Sequence, residues 1–233
     1  MQEIKLYHGS ENIVQKPLFH FGNPKNDYGY GFYCTENIEL AKEWASTEEK
    51  DGFVNEYVIN LKGLSILNLS SKDFNILNWL AILLENRTFE LSSDIAVEAK
   101  SYIKQNFLVE YKDYDIIKGY RADDSYFAFA NAFLNNTISI RKLNKAMYLG
   151  KLGEQIVITS EKAFSKLSFI SSCSVDHNIY YPKKINRDSL ARQDFFKMKS
   201  GSAVLESDSL FIADIIRGGI KNGDPRIPDV LFD

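Results

Sequence analysis

The sequence predicts an α+β fold, in which separate β-strands flank a long helical segment. Residues 3–8 and 53–61 alternate apolar and polar side chains, as a strand with one buried face does. Residues 153–159 are the most β-prone stretch of the chain. Between these strands, residues 73–107 carry apolar side chains at helical spacing. Strands at both ends with helices between them are typical of the α+β class.

The remaining elements of the N-terminal half follow at short intervals. Residues 12–26 contain Pro17 and Pro24 and have little periodicity, which predicts an irregular loop. Thr35 is placed to cap a helix over 36–47, whose apolar residues lie on one face. Short strands are predicted at 31–35 and 67–69.

The C-terminal half continues with a strand and several helices. Residues 115–120 are predicted to form a buried strand that runs into a turn, and residues 122–125 to cap the next helix. Further helices are predicted at 139–148, 161–166, 187–198 and 206–217. The sequence contains neither an internal repeat nor a low-complexity linker, which favours one domain with a helical insertion.

Composition and charge narrow the class of protein. A hydrophobic content of 45% and a charged content of 25% are those of a globular protein in water. A net charge of −3 argues against a general attraction to nucleic acid or anionic membranes. The apolar stretch 76–84 is too short to span a bilayer, and no signal-peptide pattern opens the chain. Cys34 and Cys173 make no disulfide framework. We therefore expect a cytoplasmic protein, or one exported without a classical signal peptide.

Two short motifs carry the chemical information. Residues 6–10 are Leu-Tyr-His-Gly-Ser, at the end of the first strand. Residues 27–35 are Asp-Tyr-Gly-Tyr-Gly-Phe-Tyr-Cys-Thr, at the start of the second. This pair resembles the NAD-binding core of the ADP-ribosyltransferases, whose histidine and tyrosine hold the nicotinamide end of NAD. The similarity extends over residues 4–62, weakens through the helical middle and resumes at 149–167.

The resemblance implies roles for particular residues. His8 would anchor the ribose and the carboxamide, and Tyr33 would stack on the nicotinamide ring. In the poly(ADP-ribose) polymerases a second aromatic residue stands eleven positions after this tyrosine, and here that position is Trp44. The residues expected to bind NAD are Gly9, Ser10, Asp27, Gly31, Phe32 and Trp44. Asp27 has a second interpretation, as a turn-forming residue.

A third catalytic position remains open between two neighbours. The polymerases carry Glu-Tyr-Ile-Val-Tyr at the start of a late strand, and alignment to that string selects Glu154. A group of bacterial relatives of unassigned function, similar to this chain along its whole length, usually has glutamine one residue later, which favours Gln155. Successive side chains of a strand face opposite ways, so only one of the two can enter the site.

The resemblance also implies an architecture: two small, mostly antiparallel sheets that form a split β-core with NAD in the cleft. The catalytic domain would be residues 1–172, with 63–145 as a mainly helical insertion. Residues 173–233 would form a helical extension packed on it.

The implied activity is mono-ADP-ribosylation of a macromolecule, in most cases a protein, with release of nicotinamide. Bacterial relatives of this kind are typically toxins or effectors, so an antitoxin or a host target protein is a possible partner. Two alternatives stay open: a catalytically silent module that binds NAD or ADP-ribose, and an RNA-directed enzyme of the same fold. No metal site is expected, because His20 and His177 have no partners at ligand spacing. Arg187, Asp188 and Arg192 are interpreted as an ion-pair cluster.

Overall fold

Two small β-sheets joined at one edge lie at the centre of the fold. The structure is a computed structural model, and it describes residues 3–122, 124–149, 153–200 and 210–227. Within these residues the strands are β1 (Glu3–Ser10), β2 (Phe32–Cys34), β3 (Gly52–Asn60), β4 (Ile66–Asn68), β5 (Ile116–Tyr120), β6 (Glu154–Ile158) and β7 (Leu167–Val175). The helices are α1 (Ile38–Ala45), α2 (Ile76–Asn86), α3 (Asp94–Phe107), α4 (Asp124–Leu134), α5 (Ile140–Ala146), α6 (Glu161–Phe164), α7 (His177–Ser200) and α8 (Ile212–Arg217). The α+β class is confirmed.

The two sheets are mostly antiparallel. The first has the strand order β1-β3-β7, and the second has the order β2-β6-β5-β4, in which only β4 and β5 run parallel. A bridge between Tyr7 and Thr35 links the sheets: each backbone N–H donates to the other residue's carbonyl, at 2.8 and 2.9 Å. This bridge sets the ends of β1 and β2 side by side, so the two sequence motifs become neighbours.

Burial explains how the sheets and helices pack. One apolar cluster lies between the sheets and joins residues of β1, β2, β3, β5 and β6. Ile156 and Ile158 of β6 face this cluster, whereas Val157 packs in the larger core formed mainly by the helices. In that core α2 is buried from Ile76 to Leu84, which accounts for the continuous apolar stretch in the sequence. No helix among the described residues is long and apolar enough to cross a membrane.

Several local predictions need correction. The cap of α1 is Asn37, whose Oδ1 accepts from the backbone N–H groups of Glu39 and Leu40, and not Thr35. The helical pattern predicted over 73–107 is confirmed as two helices, and Asn75 and Ser93 each cap a separate start. In the predicted cap over 122–125, Asp123 lies outside the described residues. The first part of the helix predicted at 206–217 also does.

The C-terminal part of the chain joins the core more closely than predicted. Strand β7 was not predicted, and the expected domain boundary after residue 172 falls inside it. The stretch 63–145 is mainly helical, and its two predicted strands, β4 and β5, belong to the second sheet. Helix α7 begins ten residues earlier than predicted and contains Pro182. Arg187 of α7 forms an ion pair with the buried Glu43 of α1, which ties the long helix to the sheet region.

Candidate functional site

A cleft of about 520 Å³ lies beside the ends of β1, β2 and β6. This volume is within the range of about 300–1,000 Å³ that is usual for small-molecule sites. The cleft is lined by nine of the ten residues that the sequence motifs single out: His8, Gly9, Ser10, Asp27, Gly31, Phe32, Tyr33, Trp44 and Gln155. The tenth, Glu154, lies elsewhere. Residues far apart in the chain therefore meet at one concave surface.

His8 is fixed at the junction of the two motifs. Its Nδ1 lies 2.7 Å from the backbone carbonyl oxygen of Tyr33. A carbonyl only accepts, so Nδ1 carries the proton and donates. Burial lowers the pKa of His8, and the hydrogen bond to Tyr33 opposes this shift only in part. In the neutral ring, Nε2 is then an acceptor. The ring packs 4.4 Å from that of Phe32, between centroids.

Tyr33 contributes its ring rather than its hydroxyl. The hydroxyl donates to the carbonyl oxygen of Gly29 at 2.7 Å and accepts from the backbone N–H of Tyr28 at 3.1 Å. Burial raises the pKa of Tyr33 well above its usual value, so the hydroxyl stays neutral. These two bonds hold the glycine-containing loop and position the flat ring at the cleft.

The structure separates Gln155 from Glu154. Gln155 is 3% exposed and lines the cleft; its Nε2 donates to Asp27 Oδ2 at 2.9 Å and to the Tyr120 carbonyl at 3.2 Å. Glu154 accepts a hydrogen bond from Ser70, and its Oε2 lies 2.9 Å from Lys118 Nζ. The reason is the alternation of β6, which sends these two neighbours to opposite faces.

Asp27 is a buried carboxylate, 6% exposed. Its Oδ2 accepts from the backbone N–H of Ala122 at 2.9 Å as well as from Gln155, and its Oδ1 lies 3.6 Å from a guanidinium nitrogen of Arg87. Burial raises the pKa of Asp27, while the two hydrogen bonds and the positive charges of Arg87 and Arg121 oppose that rise. These contacts reach distant parts of the chain, so the side chain does more than form a local turn.

Two arginines complete the polar part of the cleft. Arg87, just after α2, and Arg121, just after β5, both line it. Arg121 places its guanidinium carbon 4.5 Å from the ring centroid of Trp44, a cation–π contact. The Nε1 of Trp44 is buried and has no acceptor among the described residues. Sequence reasoning did not select either arginine. Arg87 and Arg121 belong to neither of the two motifs.

Three predicted site residues have structural roles in addition. A Cβ on Gly9 would overlap the Ala41 carbonyl oxygen and lie 2.7 Å from the Ala45 nitrogen, so close packing of β1 on α1 requires glycine. A Cβ on Gly31 would overlap the side chain of Val157. The hydroxyl of Ser10 donates to the Asn12 carbonyl at 2.6 Å. The three residues that the resemblance assigns to NAD binding therefore also make contacts within the protein itself.

One polar cluster lies outside the cleft. The side-chain ligand atoms of Asp51, Asp176 and His177 all lie within 4.8 Å of one another at the surface. Spacing along the chain left His177 without partners, and the fold supplies two. His177 Nδ1 lies 2.7 Å from Asp51 Oδ1, which also accepts from the His177 backbone N–H at 2.9 Å. The cluster thereby fastens the start of α7 beside the start of β3.

The fold and the cleft define an α+β protein with a candidate small-molecule site. Residues 4–169 match the family described as a protein of unknown function, DUF3990. Because the match covers more than half of the sequence, the chain belongs to this family. The matched residues include all of those that line the cleft. No curated protein and no solved structure matches the chain.

Proposed function

We propose that this protein is an NAD-dependent mono-ADP-ribosyltransferase that modifies a macromolecular acceptor, and that this acceptor is a protein. The observation that carries the proposal is the meeting of the two motifs with Gln155 in one cleft. Those residues were chosen from short sequence patterns, and their positions run from 8 to 155. Residues selected by unrelated sequence patterns would not be expected to line one and the same cleft.

The polar groups of the cleft suit NAD. His8 Nε2 can accept a hydrogen bond from a ribose hydroxyl, and the ring of Tyr33 offers a flat face to a pyridinium. The buried Trp44 Nε1 lacks an acceptor among the residues described, and a carboxamide or phosphate oxygen would satisfy it. Arg87 and Arg121 bring positive charge that offsets a diphosphate.

The chemistry sets what these side chains must do. The bond between ribose C1′ and the nicotinamide nitrogen breaks, its electron pair leaves with nicotinamide, and the acceptor's nucleophile bonds to C1′ and loses its proton. Positive charge develops on the ribose as the bond lengthens. Groups that accept from the ribose hydroxyls, here His8 and Gln155, stabilise that charge. Gln155 is neutral where the polymerases have glutamate, which favours a single transfer over chain elongation.

The test is incubation of the purified protein with biotinylated NAD and a cell lysate, with nicotinamide release measured in parallel. We expect a labelled protein band that His8→Ala abolishes. His177→Ala is the matched control, because His177 lies at the surface outside the cleft. NAD binding without nicotinamide release would overturn the transferase proposal in favour of a silent binding module. Nuclease-sensitive label would indicate an RNA acceptor, and absence of NAD binding would refute any role in NAD chemistry.

A further inference from the structure

The hydrogen bond between Asp27 and Gln155 lets the two side chains act as a pair in the cleft. We propose that Asp27 is the positioning residue for Gln155: it fixes the amide with its oxygen towards the cleft and supplies the negative charge that glutamine lacks. The pair would then do the work that a single glutamate does in related enzymes. This inference rests on the proposed transferase function.

The first step concerns the orientation of the amide. Gln155 Nε2 faces two groups that can only accept, the Asp27 carboxylate at 2.9 Å and the Tyr120 carbonyl at 3.2 Å. The Tyr120 carbonyl also accepts from the Tyr28 hydroxyl at 2.8 Å and from Trp79 Nε1 at 3.1 Å, so it is held firmly. A flipped amide would set its oxygen against both acceptors. The amide oxygen is therefore the atom of Gln155 that these two contacts leave for a ligand.

The second step concerns what holds Asp27. Its position depends on the Ala122 N–H at 2.9 Å and on Arg87 at 3.6 Å, and Asn86 donates to its backbone carbonyl at 3.3 Å. These partners come from two separate segments, residues 86–87 and Ala122, and they restrict the carboxylate from both. A carboxylate with this support remains beside Gln155 whether or not the cleft is filled.

The third step is the electrostatic consequence. A hydrogen bond to a carboxylate is stronger than one to a neutral acceptor, and it polarises the amide so that its oxygen accepts more strongly. The charge also lies in the wall of the cleft, one hydrogen bond from the Gln155 amide, in a buried environment where screening by water is weak. Asp27 makes no bond to substrate in this scheme. It acts through Gln155 on the ribose hydroxyl and on the positive charge that develops there.

Two substitutions separate charge from geometry. In Asp27→Asn, the single amide oxygen can replace Oδ2 and keep both the Ala122 and the Gln155 hydrogen bonds, while the charge is lost. Asp27→Ala removes the bonds as well. Asp115→Asn is the matched control, because Asp115 is also buried, 7% exposed, but lies outside the cleft.

The experiment measures kcat and KM for nicotinamide release and the NAD affinity of each variant by calorimetry. We expect Asp27→Asn to fold and to bind NAD within a few-fold of wild type, with kcat about 100-fold lower, the typical loss for one electrostatic group. Asp115→Asn should keep the wild-type kcat.

The pH profile gives a second readout. Four groups interact electrostatically with Asp27 or its partners: Arg87, Arg121, Tyr28 and Tyr33. Burial raises the pKa of Tyr28 and of Tyr33, so both hydroxyls stay neutral across the acid range. His8 also lies in the cleft, and its protonation removes the Nε2 acceptor in both proteins. We therefore expect wild-type kcat to fall in acid as Asp27 and His8 take up protons, and Asp27→Asn to lose only the part of this acid limb that belongs to Asp27.

The outcomes separate the two proposals. If wild type releases nicotinamide and both Asp27→Asn and Asp27→Ala match its kcat within twofold, the pairing is wrong and the transferase function stands. If Asp27→Asn is as active as wild type and Asp27→Ala is inactive, the carboxylate acts only as a spacer. If wild type releases no nicotinamide, the function itself fails, and the pairing fails with it.

Discussion

Replacing Gln155 by glutamate would place a carboxylate at the position of β6 that enters the cleft, and the structure indicates that this would destabilise the protein. The new carboxylate would lie about where Gln155 Nε2 now is, 2.9 Å from Asp27 Oδ2 and 3.2 Å from the Tyr120 carbonyl. The new carboxylate, the Asp27 carboxylate and the Tyr120 carbonyl would then face one another, and none of these three groups could donate a hydrogen bond to another. Both side chains are buried, so water would screen this repulsion weakly.

The magnitude follows from two competing routes. Two unit charges about 3 Å apart repel by about 5–6 kcal/mol at an effective dielectric constant of ~20. The pair can instead retain one proton, which at pH 7 costs about 3.7 kcal/mol for a carboxyl with an ordinary pKa near 4.3. The second route is cheaper, so we expect Gln155→Glu to lower the free energy of unfolding by about 3–4 kcal/mol at pH 7.

The sign of the pH dependence is fixed by the same argument. The folded variant holds a proton that the unfolded chain releases, so the pKa of the carboxyl pair is raised in the folded state. The deficit is therefore nearly absent below about pH 4 and grows by about 1.4 kcal/mol per pH unit above it, until the raised pKa is reached.

Urea unfolding of wild type and Gln155→Glu at several pH values between 4 and 8 measures this. Gln193→Glu is the matched control, since Gln193 is exposed on α7 and should change stability by less than about 0.5 kcal/mol. A Gln155→Glu protein as stable as wild type at pH 7 would refute the placement of Gln155 against Asp27. Faster nicotinamide release by this variant would contradict the pairing of the two residues in function.

Two further predictions concern the loop and the long helix. Tyr33→Phe should keep most of the NAD affinity that Tyr33→Ala loses, because the ring faces the cleft. It should lower the free energy of unfolding by about 1–3 kcal/mol, because the Gly29 carbonyl and the Tyr28 N–H lose their hydrogen-bond partner. Calorimetry measures the NAD affinity and thermal melts measure the stability; equal NAD affinities of the two variants would contradict a role for the ring. Arg187→Ala should destabilise the protein by about 3 kcal/mol, because it leaves the buried Glu43 unpaired. Arg192→Ala, which removes a partly exposed partner of Asp188, should cost at most about 1 kcal/mol, and equal losses in denaturant unfolding would argue against the attachment of α7 to α1.

The strands with a clear two-residue alternation were predictable from local sequence. Strand β1 and strand β3 alternate because one face of each is buried, and β6 is rich in β-branched residues. Strand β7 was not predictable in this way. It carries serines at several positions and is mostly exposed, since it lies at the edge of the first sheet.

The motifs identified most of the cleft for a related reason. His8 and Tyr33 stand at strand ends within short, glycine-marked stretches, and such stretches can be recognised without any knowledge of packing. From the sequence, Asp27 could be identified only as a candidate site residue, because an aspartate that merely forms a turn has the same local sequence. Its partners Ala122 and Gln155 are separated from it by 95 and 128 residues.

The sequence by itself determined the α+β class and the two motifs, and it narrowed the third site position to two adjacent residues of β6, Glu154 and Gln155. Only the tertiary structure decided that Gln155 enters the cleft, that Asp27 lies beside it as its hydrogen-bond partner, and that Arg87 and Arg121 join them. The physical reason is that strand alternation fixes which residues share a face, but not which face meets the core. That assignment follows from the pairing of β6 with β2 and β5 and from the packing of the helices.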